Sequence, residues 1–155
     1  MPVAAYAGGG LAQPYALAID SQNDVWISNQ LGHSVSHWRG GTTPAASCPT
    51  SPASGDTGCP LTVSTGGGLK NPVGVAVDGA DHVWVSNFHG ASVSELAVDG
   101  TLLSPASGYQ GPGLAQPYGL AIDDAGNLWV ANYAGASVTE FIGIATPVIT
   151  PKKPR

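Results

Sequence analysis

Charge is what this sequence has least of. Asp, Glu, Lys and Arg make up 10% of its 155 residues, and Lys and Arg together number five. Three of those five, Lys152, Lys153 and Arg155, fall in the last four positions, and the net charge is −5. Gripping a phosphate backbone takes basic side chains, so nucleic acid is not an expected partner. No apolar run approaches the ~20 residues that span a bilayer, so no membrane span is expected. Met1-Pro2-Val3-Ala4 offers no basic segment followed by an apolar stretch, the pattern of a secretory leader. Good helix formers are diluted by 22 Gly and 13 Pro, the two poorest helix residues, which argues against long helices.

What is present is regular. Four Trp, five Tyr and many Val, Ile and Leu fall in short clusters separated by Gly, Pro, Asn and Asp, the pattern of an all-β chain. The windows 11–38, 69–96 and 114–141 align without gaps. They read LAQPYALAIDSQNDVWISNQLGHSVSHW, LKNPVGVAVDGADHVWVSNFHGASVSEL and LAQPYGLAIDDAGNLWVANYAGASVTEF. Nine positions are identical in all three, among them Pro14/Pro72/Pro117, Asp20/Asp78/Asp123, Trp26/Trp84/Trp129, Asn29/Asn87/Asn132 and Val35/Val93/Val138. The first spacing exceeds the second by an insertion that holds both cysteines.

Each window divides into three strands, exemplified by Ala16–Asp20, Val25–Asn29 and Ser34–Trp38, with turns between them. Leu96–Val98, the Asp99-Gly100 turn and Thr101–Ser104 suit a fourth. Four short strands per repeat make a β-propeller blade. The expected fold is therefore all-β, three four-stranded blades: part of a propeller, or half of a six-bladed one. Blades are expected at about 11–60, 69–108 and 114–145, with a Pro/Lys-rich tail over 146–155. The recurring Pro presets the entry into the first strand, the Asp bonds turn amides, and the Trp fills the space between blades.

PVGVAVDGADHVWVSN and PYGLAIDDAGNLWVAN follow a pattern that resembles the NHL-repeat propellers, and the related superfamily that includes virginiamycin B lyase. The resemblance covers nearly the whole chain and implies the propeller architecture. Asn stands here where many NHL repeats have Asp after the second strand. The resemblance carries over no catalytic residue, because fold does not choose function.

Three blades are fewer than the ~4–8 that close a propeller. Tyr6-Ala-Gly-Gly-Gly-Leu11 matches Tyr109-Gln-Gly-Pro-Gly-Leu114, so the chain starts as if inside an interblade linker. A C-terminal piece of a longer secreted or periplasmic protein is the expectation; a homodimer completing the ring is the alternative.

Candidate chemistry is sparse. His33 and His89 fall in the turn after the second strand of neighbouring blades, beside Asn29, Asn87, Phe88, Asn132 and Tyr133. Those seven are the expected ligand face, with His33 and His89 as acid/base or metal-ligand candidates or as plain loop residues. His37 and His82 are expected on the solvated surface. Cys48 and Cys59 flank a ten-residue Pro/Ser/Thr/Gly loop. A disulfide there would restrict the unfolded chain by roughly 2–3 kcal/mol and imply an oxidising compartment; two free thiols or half of a metal site are the alternatives. The Gly runs lack the Lys-Ser/Thr of a phosphate loop, and Asp123–Asn127 lacks the spaced carboxylates of a calcium loop. No cofactor is expected. The expected role is a non-catalytic binding or scaffold module with a protein or small-molecule ligand. A metal-dependent lyase or hydrolase, or a structural module of a larger surface protein, are the alternatives.

Overall fold

A computed structural model describes residues 7–40 and 59–148. Ten strands and no helix are found there, in chain order β1 Pro14–Ile19, β2 Val25–Asn29, β3 Ser34–Trp38, β4 Pro60–Thr65, β5 Pro72–Val77, β6 Val83–Asn87, β7 Ser92–Leu96, β8 Pro117–Ile122, β9 Leu128–Asn132 and β10 Ser137–Phe141. They form three antiparallel sheets, β1-β2-β3-β4, β5-β6-β7 and β8-β9-β10. The fold is all-β, built of propeller blades, as the repeat predicts. The first strands β1, β5 and β8 pack side by side and form the innermost layer.

The second and third strands of each blade lie where the repeat places them. The first begins two residues earlier than expected, on the recurring proline, whose missing N–H costs nothing at a strand entry. The fourth strand departs further from expectation. Among the described residues it is regular only in blade one, where it runs to Thr65. In blade two, Thr101–Ser104 returns along β7 as expected but pairs only through an isolated bridge, Leu96 with Leu102. Among the described residues, blade three has three strands. The repeat also marks the backbone: Gln13, Asn71 and Gln116, like His33, Ala91 and Ala136, take positive φ between 44° and 58° at matching positions.

The blades are held together by their tryptophans. Trp26 is fully buried in a cluster with Val35, Val83, Val85 and Leu96, across the seam between blades one and two. Trp84 is buried in the same way against Leu128 and Val130 of blade three. Trp129 departs from the expectation of a packed core residue: it is 39% exposed, because no described blade follows it. Hydroxyls latch the same seams. Ser28 Oγ donates to the Val73 carbonyl at 2.8 Å, and Ser86 Oγ donates to the Tyr118 carbonyl. Gly74 has no Cβ where one would meet the Tyr118 carbonyl at 2.2 Å.

The chain after β10 turns back across the blade turns. Ala145 N donates to the Gly126 carbonyl, Thr146 N donates to Asp78 Oδ2, and the Thr146 carbonyl accepts from Gly79 N. The first residues of the expected tail, 146–148, thus line a groove with Ile19, Ser21 and Val77.

Trp84→Ala is expected to cost about 3–5 kcal/mol of folding stability, the range for emptying a large buried aromatic site. Ser86→Ala is expected to cost about 1–3 kcal/mol, the two hydrogen bonds that the hydroxyl donates to the Tyr118 carbonyl and accepts from Gly74 N. Urea unfolding of each variant checks both; equal losses would mean that the seam does not rest mainly on the indole.

Candidate functional site at the axial mouth

The residues where β1, β5 and β8 begin, together with the turns after β6 and β9, meet at one end of the blades. Tyr15 and Tyr118 touch edge to face, with ring centroids 5.7 Å apart. Phe88 lies 6.1 Å from Tyr118 and 6.0 Å from Tyr133, and Tyr118 and Tyr133 are 6.1 Å apart. His89 abuts Phe88 at 5.1 Å. Five rings from three blades thus form one partly exposed cluster, in which Tyr133 is 73% exposed. None of the five side chains is a carboxylate, ammonium or guanidinium.

Three of the seven expected face residues, Phe88, His89 and Tyr133, belong to this cluster. Tyr15 and Tyr118 were missed. Their signal was in the sequence: both follow the recurring proline, where blade two has Val73. His33 stands apart from these ring contacts. It is exposed, and its Nδ1 accepts the Asn71 N–H at 2.8 Å, tying blade one to blade two.

Asn29, Asn87 and Asn132 are buried, with their amides committed inside the blades. Their Oδ1 atoms accept from the N–H groups of Ala12, Lys70 and Ala115. Their Nδ2 groups donate to Ser34 and Ser36, to Ser92 and Ser94, and to Ser137 and Thr139. A buried polar side chain has to be bonded, and the strict recurrence of Asn records that requirement. These amides brace the chain entering each first strand against the third strand.

The opposite end holds a second polar group. Among the described residues, one set of metal-ligand type side chains gathers within 4.8 Å: Asp20, Asp24 and His37, all buried. His37 departs from the solvated position expected of it. Its ring stacks on the Trp26 indole at 3.8 Å and 10°. Its Nε2 lies 3.5 Å from Asp24 Oδ2 and 3.9 Å from Asp20 Oδ2. The two aspartates already serve the fold. Asp20 accepts from the N–H groups of Gln22 and Asp24 and from the Trp26 indole, and Asp24 accepts from Gly40 N.

Blade two has the same arrangement with acid and imidazole exchanged. His82, expected on the surface, stands in the place of Asp24, and Glu95 in that of His37; His82 Nδ1 and Glu95 Oε1 are 2.9 Å apart. In blade three the place of His82 is taken by Asn127, whose Nδ2 donates to Asp123 Oδ2. The exchange marks these groups as braces between the first turn and the rest of the blade. Burial holds the His37 imidazole below its ordinary value of 6.5, against the pull of Asp24 and Asp20. At the equivalent of Asp20, the Trp129 indole N–H and the turn amides bring the Asp123 carboxyl down to about 2.

Cys59 is buried at the entry to β4, and among the described residues no cysteine is free. Its expected partner, Cys48, lies outside the described residues.

No protein-family model matches the chain, and no curated protein does. Solved structures do. Virginiamycin B lyase from Staphylococcus aureus matches with a TM-score of 0.59 at 15% identity, over 84% of this chain and 41% of the lyase. A protein described as a putative gluconolactonase matches at 0.61 and 15%, over 88% of this chain and 41% of that one. Regucalcin from Agrobacterium tumefaciens, described as calcium-binding, matches at 0.55 and 17%, over 86% and 46%. Identity this low shows the propeller fold alone, and the chain spans less than half the length of each.

The displaced His37 titration has a consequence for stability. A neutral, buried imidazole is favoured in the folded state, so the unfolded chain takes up a proton first as pH falls. The resulting stability is full above about pH 6.5 and is lost as pH falls through the lower folded value. His37→Phe keeps a ring on Trp26 and is expected to flatten the midpoint of thermal unfolding between pH 7 and 5. An unchanged pH profile in that variant would remove His37 as the source.

Proposed function

We propose that this chain is a non-catalytic binding module. Its ligand seats on the aromatic cluster at the axial mouth and is a neutral molecule with a flat apolar face, of which a pyranose ring is the type. The observation that carries this reading is the convergence of Tyr15, Phe88, His89, Tyr118 and Tyr133 from three blades. Concave sites lined by aromatic rings with a few polar groups are how folds hold small ligands. Tyrosine suits such a wall because it offers a ring face and a hydroxyl. The uneven occupancy of these positions adds support. Tyr15, Val73 and Tyr118 share one repeat position, and Phe88 and Tyr133 share another with Gln30. A purely architectural role would favour one residue type throughout, as it does for the tryptophans.

The same reading takes the repeats as NHL-like and the module as part of a secreted or periplasmic protein. The spacing of the Pro, Asp and Trp positions supports the first. The scarcity of Lys, and a Cys48–Cys59 disulfide for which the buried Cys59 is the support, favour the second. Peptide mapping without reductant is expected to recover Cys48 and Cys59 in one linked pair; two alkylated thiols would remove the argument for an oxidising compartment.

A second reading is metal-dependent lyase or hydrolase activity on a cyclic ester. Its supports are His89 in the cluster and the fold shared with virginiamycin B lyase. It is the weaker one, because the metal-ligand type group among the described residues lies at the far end of the blades.

Calorimetric titration with a panel of neutral oligosaccharides tests the proposal. Binding is expected, with Tyr133→Ala weakening it roughly 10-fold, the scale of one stacked ring. Turnover of a cyclic ester that needs a divalent cation and is lost in His89→Ala would favour the second reading. Binding unaffected by Tyr133→Ala would move the ligand away from the axial mouth.

A further inference from the structure

Among the described residues no blade packs on either end of the stack, and the two internal seams show what would fit there. At the first seam, Trp26 and Val35 of blade one pack against Val75, Val77, Val83 and Val85 of blade two. At the second, Trp84 and Val93 pack against Leu120, Ile122, Leu128 and Val130 of blade three. The tryptophan-bearing side of blade three repeats the donor half, with Trp129 at 39% and Val138 at 64% exposure. The opposite side of blade one repeats the acceptor half through Leu17, Ile19, Val25 and Ile27, with Leu17 at 63% and Ile19 at 55% exposure. Apolar surface of this kind, in register with two buried copies of the same contact, marks an interface.

We propose that the Trp129 face of blade three docks on the Leu17/Ile19 face of blade one in a second copy of this chain, and that two such contacts close one ring. The two halves of the seam are both present in one chain, at opposite ends, so a second copy supplies the missing partner at each. Because the faces differ, the contact is head to tail, and it ends at two copies only if the rotation closes.

Blade three is shaped to receive a neighbour but holds it less firmly than the internal seams hold theirs. At the second seam, the Tyr118 carbonyl enters the space left by Gly74 and accepts from Ser86. In blade three the matching glycine, Gly119, faces only the Ala131 Cβ, at 4.0 Å. The space for an incoming carbonyl, that of Tyr15 in the second copy, is therefore open. The hydroxyl is not there: Ala131 stands where Ser28 and Ser86 latch the next blade. The docked seam accordingly keeps the apolar contact and lacks one hydrogen bond.

Light scattering on a sizing column, with the 155-residue chain, tests this. A mass of twice 15.5 kDa is expected. Trp129→Glu and Ile19→Glu, each checked for retained fold by far-ultraviolet circular dichroism, should each weaken association by more than about 30-fold, the scale of a central interface aromatic. Mixing the two variants should restore a dimer, because one of its two seams then carries both natural faces. Ala131→Ser should tighten association about 2- to 10-fold for each of the two seams by supplying the missing latch. A folded monomer at the highest concentration measured would overturn the proposal and assign the two faces to other blades. A dimer that survives both charged substitutions, or variants that fail to recover on mixing, would overturn it equally. These readouts do not depend on any ligand at the axial mouth.

Discussion

The structure depends on one recurring bond, from the tryptophan indole N–H to the aspartate that closes the first strand. It measures 2.9 Å at Trp26–Asp20, 3.2 Å at Trp84–Asp78 and 3.0 Å at Trp129–Asp123. A large side chain in a seam is useful only if its polar atom is bonded, since an unpaired buried donor costs about 1–3 kcal/mol. The aspartate meets that need, and its other oxygen gathers the turn amides, as Asp78 does for Ala80 and His82. One carboxylate therefore fixes the turn within the blade and orients the ring that packs against the next. Removing it would leave the indole unpaired in a seam that the ring still has to fill.

From that bond outward, much of the fold was legible in the sequence. The period-two pattern set the second and third strands at their observed limits, and the invariant tryptophans marked the seams. Two features were less legible. The outer strand varies between repeats in length and composition, so no common pattern defined it, and among the described residues it proves regular only in blade one. None of the left-handed residues at Gln13, His33 and their counterparts is glycine. They are held in that conformation by the hydrogen bonds on either side, such as Gln30 N to the Gln13 carbonyl, and a residue's type alone does not announce them.

The candidate site was read less well, for a physical reason. Recurrence in a repeat protein reports what every blade must do, which is to satisfy buried polar groups and fill seams. Asn29, Asn87 and Asn132 recur because each is a buried brace, and that recurrence made them look like a shared face. The acid–imidazole exchange between Asp24/His37 and His82/Glu95 escaped for the opposite reason. Compared position by position it reads as two unrelated substitutions, and only the pairing of turn with third strand shows one contact kept with its ends swapped.

Positions that differ between blades are then the informative ones for function. Tyr15, Val73 and Tyr118 occupy equivalent places, yet only the two tyrosines join the aromatic cluster, from blades one and three. The mouth is thus asymmetric in a fold whose scaffold is repetitive. Ala131 follows the same logic at the open end. A serine there would donate to a neighbouring carbonyl, as Ser28 and Ser86 do, and without that neighbour its hydroxyl would turn to water. Alanine removes the directional bond and leaves the apolar contact intact. An interface built on burial alone depends on shape, and Trp129, already held by Asp123, supplies that shape before any partner arrives.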